Sequence, residues 1–179
     1  MTSPVRLLAI SGSLRTASSN SNLLRAAELL APAGVRIEHY EQLGLLPHFN
    51  PDLADAPPTP VLTLFERIEH TDGLLISCPE YARGIPGSFK NALDWLVGSS
   101  CFPDKPVALF NASPRASDAQ AALRLVLRTM SARLIEDACI TVDLLSKRLD
   151  PQGIAASPEL APVVIEALSQ FARAIRAGA

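Results

Sequence analysis

A short polar segment near the start of the chain combines residue types that bind anions. It follows the apolar run 5–10, precedes a helical pattern, and contains four serines, one glycine, one arginine and one asparagine within residues 11–20. A helix N-terminus presents unpaired N–H groups and a partial positive charge, and serine hydroxyls and a guanidinium add donors that suit a phosphate monoester. The segment therefore predicts a phosphate site. The alternative is an ordinary turn in which Ser18, Ser19 or Asn20 only caps the helix.

This segment lacks the two common nucleotide-binding signatures. Gly12 is its one glycine, so the segment does not match Gly-x-Gly-x-x-Gly, and no Gly-Lys-Ser/Thr follows to make a Walker A motif. These differences argue against a nucleoside triphosphatase. They also argue against a dinucleotide held by this loop.

A second loop, 79–87, has a composition that suits a flat ligand. It contains two prolines, two glycines and Tyr81. Proline fixes φ and glycine allows close approach, so backbone N–H groups can bind the edge of a planar heterocycle while the tyrosine covers part of its face. The alternative is a rigid strand-to-helix turn in which Tyr81 only fills space.

The hydrophobic pattern predicts the strands and helices that would position these loops. Apolar runs predict five strands, over residues 5–11, 35–40, 73–78, 106–111 and 134–142. Helical spacing predicts five helices, over residues 20–31, 60–71, 88–97, 118–133 and 159–176. The prolines within 42–60 predict a long irregular connection, and a stretch with proline and glycine, 150–158, leads to the last helix.

This order of elements predicts a three-layer α/β/α fold with a five-stranded parallel sheet of order 2-1-3-4-5, the flavodoxin-like arrangement. Ligands of such sheets bind at the carboxyl ends of the strands, where the strand order reverses. Loops 11–20, 79–88 and 111–118 would all lie along that edge. Their convergence favours the phosphate site over a simple helix cap.

The composition predicts a single domain over residues 1–179, in the cytoplasm. Apolar residues make up 48%, enough for a sizeable core, and a net charge of -2 predicts neither nucleic-acid nor membrane binding. No signal peptide precedes Val5, and no apolar run reaches the roughly 18 residues of a membrane span. The three cysteines are far apart, as in a reducing compartment, and Cys78 and Cys139 are expected to act as small buried hydrophobes. The three histidines lack ligand spacing, so no metal site is predicted.

Two motifs of this sequence resemble the signatures of the NAD(P)H-dependent FMN reductase family, which includes quinone-, azo- and chromate-reducing flavoproteins. The motifs are Gly12-Ser13-Leu14-Arg15-x-x-Ser18-x-Asn20 and Pro79-Glu80-Tyr81-x-x-Gly84-Ile85-Pro86-Gly87-x-x-Lys90-Asn91-Ala92-Leu93-Asp94-Trp95. The resemblance covers about residues 5–142. The two motifs together, at this spacing, are far more specific than either alone.

The resemblance implies a flavodoxin-like fold that binds FMN. The residues it assigns to the FMN phosphate are Ser13, Arg15, Ser18, Ser19 and Asn20, and those it assigns to the isoalloxazine ring, partly through backbone groups, are Pro79, Glu80, Tyr81 and Gly84. The sequence departs from the family at Ala82, where asparagine is frequent, and after the fourth strand, where the loop is often rich in glycine. In that loop Ser113 is a further candidate for a flavin contact. Arg115 either meets an anion, such as the 2′-phosphate of NADPH, or lies on the surface.

The activity implied by the resemblance is a ping-pong oxidoreductase. It would transfer hydride from NADPH or NADH, through FMN, to a flavin, a quinone or a similar small-molecule acceptor. Because the flavin carries the chemistry, no catalytic side chain is predicted, and backbone N–H groups near the flavin N1–C2=O edge would stabilise the reduced form. Family members are commonly homodimers or homotetramers. The 42–60 loop is expected to help shape the acceptor pocket.

Two other functions remain open from the sequence. A flavodoxin-type electron carrier without NAD(P)H turnover is the first, although such carriers tend to be strongly acidic and this chain has a net charge of only -2. A binding domain that has kept the fold without flavin is the second, and the intact Ser13, Arg15 and Tyr81 loops argue against it. The acceptor, the choice between NADH and NADPH, and whether FMN is a prosthetic group or a substrate stay undetermined.

Overall fold

A computed structural model describes residues 3–178. Its strands are β1 (Val5–Ser11), β2 (Val35–Tyr40), β3 (Gly73–Ser77), β4 (Pro106–Asn111), β5 (Arg133–Leu134) and β6 (Ile140–Thr141). Its α-helices are α1 (Ser19–Leu29), α2 (Thr59–Glu69), α3 (Gly87–Val97), α4 (Ser117–Thr129), α5 (Pro151–Ala155) and α6 (Ala161–Ala177). Short 3-10 turns lie at Leu43–Leu45, Pro51–Leu53 and Glu136–Ala138.

The strands form one parallel sheet of order β2-β1-β3-β4-β5, and β6 pairs with the far end of β4. Strand β1 lies between β2 and β3, with Ile10 opposite Tyr40 of β2 and Ile76 of β3. All residues of β3 and β4 are buried, because helices cover both faces of these strands, whereas the edge strand β2 alternates between buried and exposed residues. The order confirms the predicted flavodoxin-like fold.

Two hydrophobic clusters, one on each face of the sheet, hold the layers together. Helices α1, α5 and α6 pack on one face through residues such as Leu24, Ile154 and Phe171. Helices α2, α3 and α4 pack on the other, with Phe89 and Leu123 fully buried. No helix within residues 3–178 is both long and apolar enough to span a lipid bilayer.

The prediction was wrong for the fifth strand, which is not continuous over 134–142. It is divided into β5 and β6 by the turn at Glu136–Ala138. Cys139 explains part of the break, because its Sγ accepts the N–H of Leu109 of β4 at 3.3 Å, where a regular ladder would use a backbone carbonyl.

The helix limits also differ from the predicted ones. Helix α4 ends at Thr129 instead of residue 133, since Ser131 adopts a left-handed φ of 62° that ends the helix. Helix α6 begins at Ala161 instead of 159. The short helix α5 was not predicted; Asp150 caps it by accepting the N–H of Gly153 at 2.7 Å.

Candidate functional site

A cavity of about 760 Å³ opens at the carboxyl ends of the central strands. Its walls come from the loops after β1, β3 and β4, which are the three loops that the sequence places at this edge, and from the segment after β6. The lining residues are Ser13, Arg15, Ala17, Ser18, Ser19, Asn20, Asn22, Pro79, Glu80, Tyr81, Asn111, Ala112, Ser113, Arg115, Ala116, Leu145, Arg148 and Leu149. Nine of the ten predicted binding residues are therefore brought together, and Gly84 is not among them.

The loop after β1 leads into a capped helix whose first amides have no acceptor among the described residues. Ser18 is the N-cap of α1, and its Oγ accepts the N–H of Ser21 at 3.4 Å. The N–H groups of Ser19 and Asn20 have no hydrogen-bond acceptor among residues 3–178. The observed cap is therefore compatible with the predicted anion site, because a cap satisfies only one of several free donors at a helix start.

Asn20 and Gly12 fix this loop against the end of β3. The side chain of Asn20 is buried, and its Oδ1 accepts a hydrogen bond from Ser77 Oγ at 2.9 Å. The Gly12 N–H donates to the Ser77 carbonyl at 2.8 Å. A Cβ on Gly12 would lie 3.0 Å from Cys78 Sγ and 3.3 Å from Cys78 Cα, which is tighter than ordinary contact, so this close approach favours glycine.

Residues Tyr81–Gly84 form a tight turn at the second wall. The N–H of Tyr81 donates to the Gly84 carbonyl at 3.1 Å, and the N–H of Gly84 returns the bond at 3.0 Å. The two residues between them, Ala82 and Arg83, have left-handed φ angles of 49° and 61°. Tyr81 is 48% exposed, and its hydroxyl lies 3.5 Å from Ser13 Oγ, so its side chain reaches the loop after β1.

Glu80 has a structural partner that the sequence did not reveal. One oxygen of its carboxylate, Oε2, accepts the N–H groups of Asp118 at 3.0 Å and of Ala119 at 2.9 Å, in the first turn of α4. A carboxylate suits this place, because a helix N-terminus carries free N–H groups and a partial positive charge. Glu80 lines the cavity, but its charge is used to join the second wall to α4.

The loop after β4 supplies the third wall. Ser113 is buried; its N–H donates to Asn111 Oδ1 at 3.2 Å, and its Oγ accepts the N–H of Arg115 at 3.1 Å. The Arg115 side chain is exposed, lines the cavity and has no carboxylate within 4.0 Å among the described residues. Asn111 was not predicted, although an amide at the end of a fully apolar strand is a signal that could have found it.

The segment 144–149, called the strap below, forms a fourth wall that the sequence did not indicate. At one end the N–H of Leu144 donates to the Ala112 carbonyl at 3.1 Å. At the other end Asn22 Nδ2 donates to the Leu149 carbonyl at 3.0 Å. The strap places Arg148 at the cavity, although this residue is far in sequence from the loop after β1. A local sequence pattern could not predict that the two meet.

Two predicted features lie outside the cavity lining. Cys78 is buried, as predicted, and burial raises the pKa of its thiol to about 12, so the thiol stays protonated at neutral pH. The 42–60 loop contributes no lining residue. It is fastened to α3, where Asn91 Oδ1 accepts the N–H of Phe49 at 2.7 Å and Trp95 Nε1 donates to the Pro47 carbonyl at 2.8 Å.

Comparisons with known proteins agree with this architecture. A family model described as NADPH-dependent FMN reductase matches residues 5–144. The chain is 31% identical over 185 residues to an NAD(P)H-dependent FMN reductase of Pseudomonas aeruginosa, an alignment that covers 98% of this chain and 100% of that protein. The solved structure of FerB, a flavoenzyme NAD(P)H:(acceptor) oxidoreductase from Paracoccus denitrificans, superposes with a TM-score of 0.86 at 30% identity and covers 97% of this chain and 98% of that one.

A higher identity extends over a shorter region. The chain is 41% identical over 115 residues to a rice protein named probable NADPH:quinone oxidoreductase 1. That alignment covers 60% of this chain and 58% of the rice protein, so the chain spans less than two thirds of that relative.

Proposed function

Because the chain belongs to the NADPH-dependent FMN reductase family, we propose that it is an FMN-containing oxidoreductase that transfers hydride from NAD(P)H to a flavin, a quinone or a similar small-molecule acceptor. One observation carries the proposal most directly. The cavity combines the unpaired N–H groups of Ser19 and Asn20 with the guanidinium of Arg15, at the edge of the sheet where this fold binds its ligands.

The residues present fit the phosphate of FMN. A phosphate monoester carries two negative charges and needs several hydrogen-bond donors. The loop after β1 offers hydroxyls, amides and a guanidinium within residues 13–20. Arg15 is exposed and has no carboxylate within 4.0 Å among the described residues, so its charge is available to a ligand. The residues we assign to the phosphate are Ser13, Arg15, Ser18, Ser19 and Asn20.

The second and third walls fit the ring end of the cofactor. Pro79 and Tyr81 present an apolar surface to the cavity, and Ser113 and backbone groups supply polar contacts. Glu80 positions this wall by binding the start of α4, so we assign its part in the site to positioning. Gly84 lies outside the cavity lining, so it too acts through the turn, whose hydrogen bonds with Tyr81 set the ring's place.

FMN, when bound, supplies the redox chemistry of hydride uptake and release. The chain's own residues would bind the phosphate and would hold the flat ring against the second wall. Backbone N–H groups at the ring end of the site would stabilise the negative charge of the reduced flavin without reorganisation, which is how fixed dipoles contribute to catalysis.

Three finer features belong to the same proposal. We infer that NADPH or NADH is the electron donor and that Arg115 is available to an anionic group of that donor. Membership of the family supports a homodimer or homotetramer. The three free cysteines support a cytoplasmic location.

The experiment is an absorption spectrum after FMN is added and excess is removed by desalting, followed by anaerobic NADPH and NADH. Retained flavin bands that bleach with a pyridine nucleotide and recover with a quinone support the proposal. Retained bands that bleach with neither donor indicate an electron carrier. If no flavin is retained, NADPH consumption with excess FMN distinguishes an enzyme that uses FMN as a substrate from a domain that has lost the cofactor.

A matched pair of variants tests the phosphate assignment. Arg15→Ala should weaken FMN binding about tenfold to a hundredfold, as expected for a hydrogen bond between charged groups. Arg36→Ala removes the same charge from the exposed face of β2, away from the cavity, and should leave the affinity unchanged. Wild-type affinity in Arg15→Ala would contradict the assignment.

A further inference from the structure

Arg148 is a cavity residue that neither of the two sequence motifs contains. It belongs to the strap, whose end is fixed by the hydrogen bond from Asn22 Nδ2 to the Leu149 carbonyl at 3.0 Å. Asn22 itself lies one helical turn from the N-cap, because its N–H donates to the Ser18 carbonyl at 2.9 Å. The backbone next to Arg148 is thereby fastened to the first turn of α1, where the free N–H groups are.

The charge of Arg148 is not used within the described part of the chain. No carboxylate lies within 4.0 Å of its guanidinium among residues 3–178. Its neighbour Lys147, by contrast, binds Glu159 at 2.6 Å and does not line the cavity. The strap thus has two cations in a row, of which one fastens it to the protein surface and the other reaches the site.

The backbone at Arg148 is held in a conformation that arginine rarely adopts. Its φ is 44°, in the left-handed region, where a residue with a Cβ is strained by about 1–2 kcal/mol. Such strain persists where the surrounding anchors determine the chain path, and here both ends of the strap are hydrogen-bonded, at Leu144 and Leu149. Glycine would be the easier residue at this position, so the side chain itself is the feature to explain.

We propose that Arg148 is a second guanidinium ligand of the FMN phosphate, which the strap supplies in addition to Arg15 from the loop after β1. This inference rests on the proposed function. Two guanidinium groups match the two negative charges of a phosphate monoester, and each can donate two hydrogen bonds to its terminal oxygens. Through Arg148, the segment after β6 then takes part in cofactor binding.

The test compares FMN with riboflavin, which lacks the phosphate. Dissociation constants of both flavins are measured by flavin fluorescence for the wild type, Arg148→Gly, Arg148→Ala and the control Arg36→Ala. Arg148→Gly is the key variant, because glycine accepts the left-handed φ and removes the guanidinium without added strain. We expect its dissociation constant for FMN to rise about tenfold to a hundredfold, with that for riboflavin unchanged. Arg148→Ala should do the same, and Arg36→Ala should change neither.

Three results would overturn the proposal. The first is wild-type FMN affinity in Arg148→Gly. The second is an equal loss for FMN and riboflavin, which would mean that the strap shapes the ring pocket. The third is unchanged FMN binding with a raised KM for NADPH, which would assign Arg148 to the pyridine nucleotide.

An NAD(P)H oxidation assay on the same proteins gives the KM for NADPH and separates this inference from the proposed function. A wild-type protein that binds FMN tightly but oxidises no NAD(P)H refutes the reductase and leaves Arg148 as a phosphate ligand. A wild-type protein that binds neither flavin refutes both.

Discussion

Replacing Glu80 tests whether this residue holds the second wall of the cavity in place or contacts the flavin. Its carboxylate Oε2 accepts two hydrogen bonds, from the N–H groups of Asp118 and Ala119 at the start of α4. Loss of the carboxylate in Glu80→Ala leaves both amides without this acceptor, and only water can replace it. We therefore expect the apoprotein to be less stable even when no flavin is present.

The size of the effect follows from the geometry. Hydrogen bonds to a charged group contribute about 1.5–3 kcal/mol each when they are shielded from water. Glu80 is half-buried and water can reach the exposed amides, so the value for helix caps, about 0.5–2 kcal/mol, is the better guide. With two amides and a favourable helix dipole, we expect a loss of about 2 kcal/mol in the free energy of unfolding, or a fall in Tm of about 4–8 °C. Glu80→Gln keeps an acceptor but no charge, and should lose about half as much.

Urea unfolding of the apoprotein, followed by the fluorescence of the single, buried tryptophan Trp95, measures this loss. Glu41→Ala is the control, because Glu41 is exposed and makes only a loose ion pair with Arg25 at 3.5 Å; it should change the stability by less than about 0.5 kcal/mol. If Glu80→Ala is as stable as the control and only FMN affinity falls, the carboxylate contacts the flavin and the positioning role is wrong.

Two further predictions concern the backbone and the thiol beside this site. Ala82→Gly should raise the free energy of unfolding by about 1 kcal/mol, because glycine relieves the left-handed φ of 49°. The control Ala54→Gly, at an ordinary φ of -64°, should lower it by about 0.5–1 kcal/mol. Thermal unfolding of both variants measures these changes. Burial raises the pKa of Cys78 to about 12, so above pH 9 the unfolded chain releases a proton that the folded protein keeps, and the stability present below pH 9 is lost as the pH rises toward 12. At pH 10 this loss should be about 1.4 kcal/mol. Cys78→Ala lacks the thiol, so its free energy of unfolding in urea should fall by about 1.4 kcal/mol less than that of the wild type between pH 8 and pH 10. Equal falls in the two proteins would contradict the raised pKa of Cys78.

The sequence predicted the parts of the fold that depend on local pattern. The strands β1, β2 and β4 have their predicted limits, because each is a run of residues buried from one or both faces between clear breaks. The fifth strand was misjudged because apolar alternation over 134–142 looks like a strand. What divides it is a long-range contact, the Leu109 N–H donated to Cys139 Sγ, which no local pattern encodes.

The same limit applies to the site. Its hydroxyl-rich loop and its Pro/Gly-rich loop were identified because turn residues directly follow buried strands, and the sheet order then brings the loops together. The family resemblance assigned Glu80 to the isoalloxazine ring, but in the structure the partners of its carboxylate are backbone amides of a helix that begins about 38 residues further on. Every residue but proline carries a backbone amide, so residue types alone could not reveal this contact. The strap was missed for a similar reason, since Asn22 and Leu149 are joined across 127 residues.

Charge shows most clearly why site chemistry has to be read from the assembled fold. The whole chain has a net charge of -2, which indicates no attraction to anions. The charged residues of the cavity wall are nevertheless three arginines, Arg15, Arg115 and Arg148, and one glutamate, Glu80, whose carboxylate is bound to a helix N-terminus. These arginines come from three different loops, and only the topology of the sheet collects them. A dianionic phosphate would offset two of the three charges, and one arginine would then remain to attract the second anionic ligand that a reductase using NAD(P)H must also bind.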